Sequence, residues 1–64
     1  MLLENLYRVF FDKQTIVLED ARTQNILWRG IMHNIPLKYL DYNVMTVMSR
    51  AVTKTISEIV IIIG

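Results

Sequence analysis

The chain has 64 residues, 53% of them hydrophobic, and its seven Lys and Arg against six Asp and Glu leave a net charge of +1. This length allows a single small domain, because a chain of this size buries only about 60% of the surface that its unfolded state exposes. With no cysteine and one histidine, disulfides and a structural zinc site are excluded as reinforcement, and no cofactor is expected. The remaining source of stability is a partner chain, so we expect a homo-oligomer, most simply a homodimer.

The distribution of charge and of apolar residues argues against nucleic acid and membrane partners. The basic residues are scattered along the chain, which gives no electrostatic footprint for a polyanion. The longest apolar run, residues 59–63, is far shorter than the roughly 20 residues that span a bilayer. The first residues include Glu4 and lack the basic region of a signal peptide, so the cytoplasm is the expected compartment.

The first eleven residues place Leu3, Leu6, Tyr7 and Phe10 at helical spacing. This spacing predicts a helix of two to three turns, which is too short to be stable alone and must pack on an apolar surface. Two alternatives are a helix lying on a membrane surface, disfavoured because its polar face has one Arg against one Glu, and continuation of the RVFF segment into a strand.

Two β-rich segments follow, residues 15–20 (TIVLED) and 25–30 (NILWRG), and the turn-forming ARTQ segment separates them. Two such runs so close together predict a β-hairpin. Asp20 is expected to accept backbone N–H groups at the start of the turn, and Asn25 to supply a positive φ where no glycine is available.

The middle of the chain predicts a short helix after a connector. Pro36 presets the backbone for the first helical position, Leu37 and Leu40 are spaced i, i+3, and Asn43 is a suitable stop. This helix is expected to have two turns at most.

The last third of the chain predicts a second hairpin, with strands at residues 44–50 and 56–63. The complete pattern over residues 1–64 predicts one small α+β domain: N-terminal helix, β-hairpin, short helix, β-hairpin. We expect its strands to form one four-stranded antiparallel sheet with the helices on one face.

The unbroken apolar run at the end of the chain is typical of a strand that is buried on both faces. The residues expected to face the helices are Ile16, Leu18, Ile26, Trp28, Ile59, Ile61 and Ile63. The residues expected on the second face, as an interface for another subunit, are Val17, Leu27, Arg29, Val60 and Ile62. Arg29 is expected either to pair with Glu19 or Glu58 of that subunit or to be solvated. The alternative for this face is a modest apolar patch that stays exposed.

No arrangement of residues predicts catalysis or metal binding. His33 has no cysteine or motif beside it and is expected to be a loop residue, and the adjacent Glu19 and Asp20 point to opposite faces of a strand. Trp28 is expected to anchor the core or an interface. Tyr39 and Tyr42 are the most plausible recognition residues, but the favoured expectation is that one of them is partly buried and closes the core.

A set of turn and packing positions resembles short, uncharacterised proteins from Gram-positive bacteria and their prophages. The positions that carry the resemblance, within residues 15–63, are Asp20, Thr23, Trp28, Gly30, Ile35, Pro36, Leu40 and Val44. The chain departs from the pattern at Gln24, where glycine is more usual, and in its apolar connector Ile31–Met32. The resemblance implies a helix-plus-antiparallel-sheet fold and a mobile-element origin, and it brings no activity and no site residues.

Together these patterns predict a non-enzymatic accessory protein that self-associates through the second sheet face and also binds a further, unidentified protein. The alternative is a small nucleic-acid-binding regulator of a mobile element. In that alternative, dimerisation doubles a basic patch formed by Arg22, Arg29 and Lys54.

Overall fold

The computed structural model describes residues 1–7 and 14–64. Its four strands are β1 (Thr15–Asp20), β2 (Ile26–Ile31), β3 (Val44–Ala51) and β4 (Ser57–Ile63). The helical segments within these residues are three single 3-10 turns, Leu3–Asn5, Met32–Asn34 and Leu37–Tyr39. The two hairpins and their strand positions are confirmed to within a residue or two.

The four strands form one mixed sheet in the order β2-β1-β4-β3. Both hairpins are antiparallel, but β1 and β4 run parallel at the centre, with Val17 opposite Val60. The predicted all-antiparallel sheet is therefore wrong at its central pair. The physical reason is the connection: residues 32–43 cross from one edge of the sheet to the other, and a crossover of about a dozen residues is the length that a parallel arrangement needs.

The predicted helices are replaced by single 3-10 turns in the described residues. Near the N-terminus, Leu6 N donates to Leu3 O (2.9 Å) in an i, i+3 bond. The rest of the predicted first helix, from residue 8, lies outside the described residues. The second predicted helix shortens to Leu37–Tyr39, with Pro36 preceding it. Short i, i+3 turns are common connectors where a segment is too short to sustain an α-helix. None of the helical turns in these residues has the length of a membrane-spanning helix.

The hydrophobic core lies on one face of the sheet, which we call the core face. Its buried members are Leu3, Ile16, Leu18, Met32, Ile35, Ile61 and Ile63. Alternate residues of β1 and β4 supply the sheet side of this cluster, and the crossover and the N-terminal turn supply the other side. The expectation that β4 is a central strand is confirmed, because it lies between β1 and β3. Ile61 and Val60, which are on opposite faces of the sheet, are both almost completely buried.

A β-bulge in β2 changes which face two of its residues occupy. Leu18 pairs with Trp28 and Glu19 pairs with Ile26, so Leu27 is an extra residue without a partner. Leu27 consequently packs against the core cluster, and Ile26 is 53% exposed. The predicted faces of Leu27 and Ile26 were wrong, because strict alternation does not survive an inserted residue.

The turn between β1 and β2 uses Asp20 as predicted. Its Oδ1 accepts a hydrogen bond from Arg22 N at 2.8 Å. The positive φ falls on Gln24 (63°), and not on Asn25 as the sequence suggested. Gln24 N donates to Asp20 O at 2.8 Å, which closes the turn one residue earlier.

Candidate interaction surfaces

The second face of the sheet has Val17 and Val60 at its centre. They are neighbours on the two central strands, and Val17 and Val60 are 0% and 1% exposed in the single chain. Arg29 is opposite Val17 on β2, and Met48 is opposite Val60 on β3. The apolar centre of this face is therefore buried without a second subunit.

Four charged side chains form an ion cluster on this face: Glu19, Arg29, Arg50 and Glu58. Arg50 Nη2 and Nε donate to Glu58 Oε1 at 2.9 and 3.3 Å, and Arg50 Nη1 donates to Glu19 Oε2 at 3.4 Å. Arg29 Nη2 lies 3.6 Å from the same Glu58 oxygen. The hydrogen bond with Glu58 is the main cause that raises the pKa of Arg50 above its ordinary value.

The positions of these charges explain how Val17 and Val60 are hidden. Glu58 precedes Val60 by two residues on β4, and Glu19 follows Val17 by two residues on β1. A guanidinium group that reaches both carboxylates must therefore lie over the Val17–Val60 pair. The alkyl stem of an arginine can contribute to such cover while its charged end remains hydrated.

No ion-pair partner for Arg50 was predicted from the sequence, so its place in the ion cluster was missed. The observed pairing of Arg50 with Glu58 follows from a loop of residues 52–56 between β3 and β4, with Ala51 opposite Ser57. The loop predicted from the sequence begins one residue earlier than the observed loop. That loop gives a register in which Arg50 and Glu58 are not opposite each other. Arg50 and Glu58 have opposite charges and lie at equal distances from the middle of the loop. This pattern in the sequence could have revealed their pairing.

The predicted interface residues are not brought together as one accessible patch. Val17 and Val60 are buried, and Ile62 is half-buried beside Thr46. Arg29 is exposed but pairs with Glu58 of its own chain, and Leu27 packs on the core face. A different surface is more accessible.

That surface follows the outer strand β3 and the loop after it, where every residue from 45 to 57 is exposed. We call its apolar side chains the β3 surface: Met45 (63% exposed), Val47 (44%), Met48 (45%), Val52 (57%) and Ile56 (58%). Val44, at the start of β3, packs against the core cluster, whereas the residues beyond it are not part of the core. Alternation from Val47 to Met48 leaves apolar groups on both faces of the strand.

The outer edge of β3 is partly covered at its start. Leu2 bridges to Asn43, with Leu3 N donating to Tyr42 O (2.9 Å) and Val44 N donating to Met1 O (2.7 Å). Among the described residues, no bridge continues this pairing along the rest of β3. Residues 45–51 therefore offer backbone N–H and C=O groups along an open edge.

Tyr39 and Tyr42 lie beside a shallow cleft of about 440 Å³, which Arg22 and Lys38 also line. The two rings meet edge to face at 5.9 Å, and Tyr39 OH donates to Leu27 O at 3.4 Å. Tyr39 packs against the core and Tyr42 is 44% exposed. The expectation that one of the two tyrosines closes the core is confirmed for Tyr39.

The remaining chemically interesting residues do not converge. Arg22 lies in the turn after β1 and Lys54 in the loop before β4. Because β1 and β4 are parallel, these two connections are at opposite ends of the sheet, so the supposed patch with Arg29 does not form within one chain. His33 is exposed, with its ring edge to face with Tyr7 at 6.3 Å. Within residues 1–7 and 14–64, no group of three or more potential ligands is placed to hold a metal ion.

Comparison of the chain with family models, with curated proteins and with solved structures finds no match in any of the three.

Proposed function

We propose that the chain is a non-enzymatic interaction protein that self-associates, and that its contact residues lie on the β3 surface. The observation that carries the proposal is the uninterrupted exposure of residues 45–57 together with the five large apolar side chains among them. Contact patches of soluble proteins are commonly apolar at the centre and enriched in methionine and aromatic residues. The β3 surface consists of two methionines and three branched apolar residues.

The size of the domain supports self-association independently. A chain of 64 residues without disulfides has little core with which to offset the conformational entropy of folding. Burying exposed apolar side chains against a partner adds stability of the same kind as the core supplies. The second sheet face offers less of this gain, because its central valines are already buried.

The charges of the chain are also consistent with a protein partner. Arg50, the one charged residue of β3, is directed across β4 toward Glu58 and Glu19. Its charge is therefore turned away from the open edge, and an apolar partner does not have to desolvate it.

Sedimentation velocity across a concentration series tests the proposal. We expect the weight-average mass of the wild type to rise toward twice the monomer value between about 1 and 100 μM, the affinity range of modest interfaces. Met48→Lys places a charge within the β3 surface and should weaken self-association at least about tenfold.

The matched control is Ile26→Lys, which alters a similarly exposed apolar residue (53% against 45% for Met48) on β2, at the other edge of the sheet. This variant should sediment as the wild type does. A wild type that remains monomeric over the whole range contradicts the proposal. If Ile26→Lys weakened self-association and Met48→Lys did not, the contact would lie at the β2 edge instead.

A further inference from the structure

We infer that two copies join through their β3 edges in antiparallel orientation and form one continuous eight-stranded sheet. This inference rests on the proposed self-association and specifies its geometry. A two-fold axis relates the copies, so the same strand contributes both sides of the contact, as in most closed homodimers. The partner is thus a strand of the same sequence, and not a helix or a loop.

The backbone is the first reason for a strand partner. β3 has eight residues, which is long for an edge strand, and none of the described residues pairs with its outer edge from residue 45 to residue 51. Proteins usually protect such an edge with proline, lysine or a bulge in mid-strand. β3 contains neither proline nor lysine, and its irregularity lies between Val44 and Thr46, at the end that Leu2 already covers.

Charge determines the relative direction of the two strands. A parallel, in-register partner would place Arg50 opposite Arg50, and like charges directly opposite each other are destabilising. An antiparallel partner places Arg50 opposite the beginning of the other β3, which is uncharged from Val44 to Ser49. Each Arg50 also keeps its bonds to Glu58 and Glu19 within its own chain.

The covered start of the strand determines the register. Because Leu2 occupies the outer edge at Asn43, the partner can pair only with residues 45–51. The midpoint of this segment is Met48, so the two-fold axis passes at Met48, which meets its own copy. Val47 then lies opposite Ser49, and Thr46 lies opposite Arg50 of the other chain.

This arrangement places apolar surface in contact on both sides of the joined sheet. Met48 is on the second face and Val47 is on the core face, and both are close to half exposed in the single chain. A typical stable interface takes about 800 Å² from each partner. That area is about a sixth of the 4640 Å² that the chain exposes. Seven exposed strand residues, together with the loop that carries Val52 and Ile56, are the part of the chain that can supply it.

Disulfide trapping tests the register directly, because the chain has no cysteine and each substitution introduces its only thiol. Single cysteines are placed at each position from 45 to 51, with Ile26→Cys on β2 as the matched exposed control. Each reduced variant is checked for wild-type circular dichroism and then oxidised mildly. Opposed Cα atoms in antiparallel strands lie about 4.5–5.5 Å apart, within disulfide range. One residue away from the axis, the two identical positions are already beyond about 7 Å.

We expect the yield of disulfide-linked dimer to peak sharply at Met48→Cys, at least fivefold above Ile26→Cys. In the unmodified protein, hydrogen exchange of those amides within residues 45–51 that face the outer edge should slow at least tenfold between dilute and concentrated samples. A dimer with a flat trapping profile, or with unchanged exchange in β3, overturns edge pairing and leaves the proposed self-association in place. A protein that remains monomeric overturns both.

Discussion

Glu58 Oε1 accepts two hydrogen bonds from Arg50, at 2.9 Å from Nη2 and 3.3 Å from Nε, although these residues belong to different strands. Glu58 is only 5% exposed, so this carboxylate relies on arginine for the hydrogen bonds that water would otherwise supply. Arg50 also reaches Glu19, whereas Arg29 approaches Glu58 at a longer 3.6 Å. The two arginines should therefore contribute unequally to stability.

Replacing Arg50 with alanine should lower the melting temperature clearly more than Arg29→Ala does. The first change leaves a buried carboxylate with one distant partner, and such loss of a partner is more damaging than loss of an exposed pair. Thermal unfolding followed by circular dichroism measures both. Equal effects of the two substitutions would contradict the central role of Arg50.

The pH dependence of the Arg50 contribution follows from the direction of its pKa shift. The hydrogen bond with Glu58 raises the pKa of Arg50 above its ordinary value, so the stabilisation is fully present below the unfolded-state pKa and is lost only as the pH rises through the folded-state pKa. The difference in melting temperature between the wild type and Arg50→Ala should therefore be as large at pH 10 as at pH 7. A difference that disappears by pH 10 would show that another group titrates in this role.

Glycine at position 30 is required by the indole ring of Trp28. A Cβ added at Gly30 would lie 2.8 Å from Trp28 Cζ2, closer than real contacts allow. Gly30→Ala should displace the ring from the core cluster and destabilise the chain by about 1–3 kcal/mol, the usual range for overpacking. Because Trp28 is the only tryptophan, a change in its fluorescence maximum reports the displacement.

Gly64→Ala is the matched control for Gly30→Ala. A Cβ at Gly64 meets its nearest neighbour, Ala21 Cβ, at 3.4 Å, an ordinary contact. This variant should keep the wild-type fluorescence and stability. Unchanged fluorescence in Gly30→Ala would contradict the close approach of the ring.

The strands were predictable because their apolar and β-branched residues fall in short runs between turn-forming residues. The direction of the central pair was not, since it depends on a crossover whose path is set by packing against the whole core face. Leu27 shows that the same difficulty arises within one strand. No residue pattern predicts the bulge at Leu27, and the bulge moves the Leu27 side chain to the other face of the sheet.

The burial of Val17 and Val60 within the single chain was not predictable for a related reason. Val17 and Val60 were expected to need a partner because no helix covers their face. We attribute this cover to Arg50, whose hydrogen bond to Glu19 joins residues on strands that are not neighbours. A local sequence pattern cannot predict the contact between Arg50 and Glu19, which are 31 positions apart in the chain.

The turn between β1 and β2 should become more stable when Gln24 is replaced by glycine. Gln24 has a φ of 63°, a conformation that costs a residue with a Cβ about 1–2 kcal/mol. Glycine removes this strain but loses more chain entropy, so the expected net gain is about 0.5–1 kcal/mol. Urea denaturation with linear extrapolation measures the change.

Asn25→Gly is the control for the turn, because Asn25 does not have a positive φ. Glycine there removes no strain, and it should leave the free energy of unfolding unchanged or lower it slightly. A larger gain from Asn25→Gly than from Gln24→Gly would place the strained residue one position later.

Substitution of Val60 with glutamate should unfold the chain, whereas the same change at Val47 should not. Val60 is 1% exposed under the ion cluster, and a new carboxylate there would be desolvated beside Glu58 and Glu19. The total stability expected for 64 residues is about 3–10 kcal/mol, which a buried unpaired charge can exceed. Val47 is 44% exposed on β3, so its glutamate variant should keep the wild-type circular dichroism.

The pair separates folding from assembly. Val47→Glu should remain folded and lose self-association, because it introduces a charge into the β3 surface, while Val60→Glu should show the circular dichroism of an unfolded chain at 25 °C. A folded, monomeric Val60→Glu would mean that Val60 is not held beneath Arg50. The second sheet face would then be the contact between subunits, since a charge at Val60 would have broken the dimer without disturbing the fold.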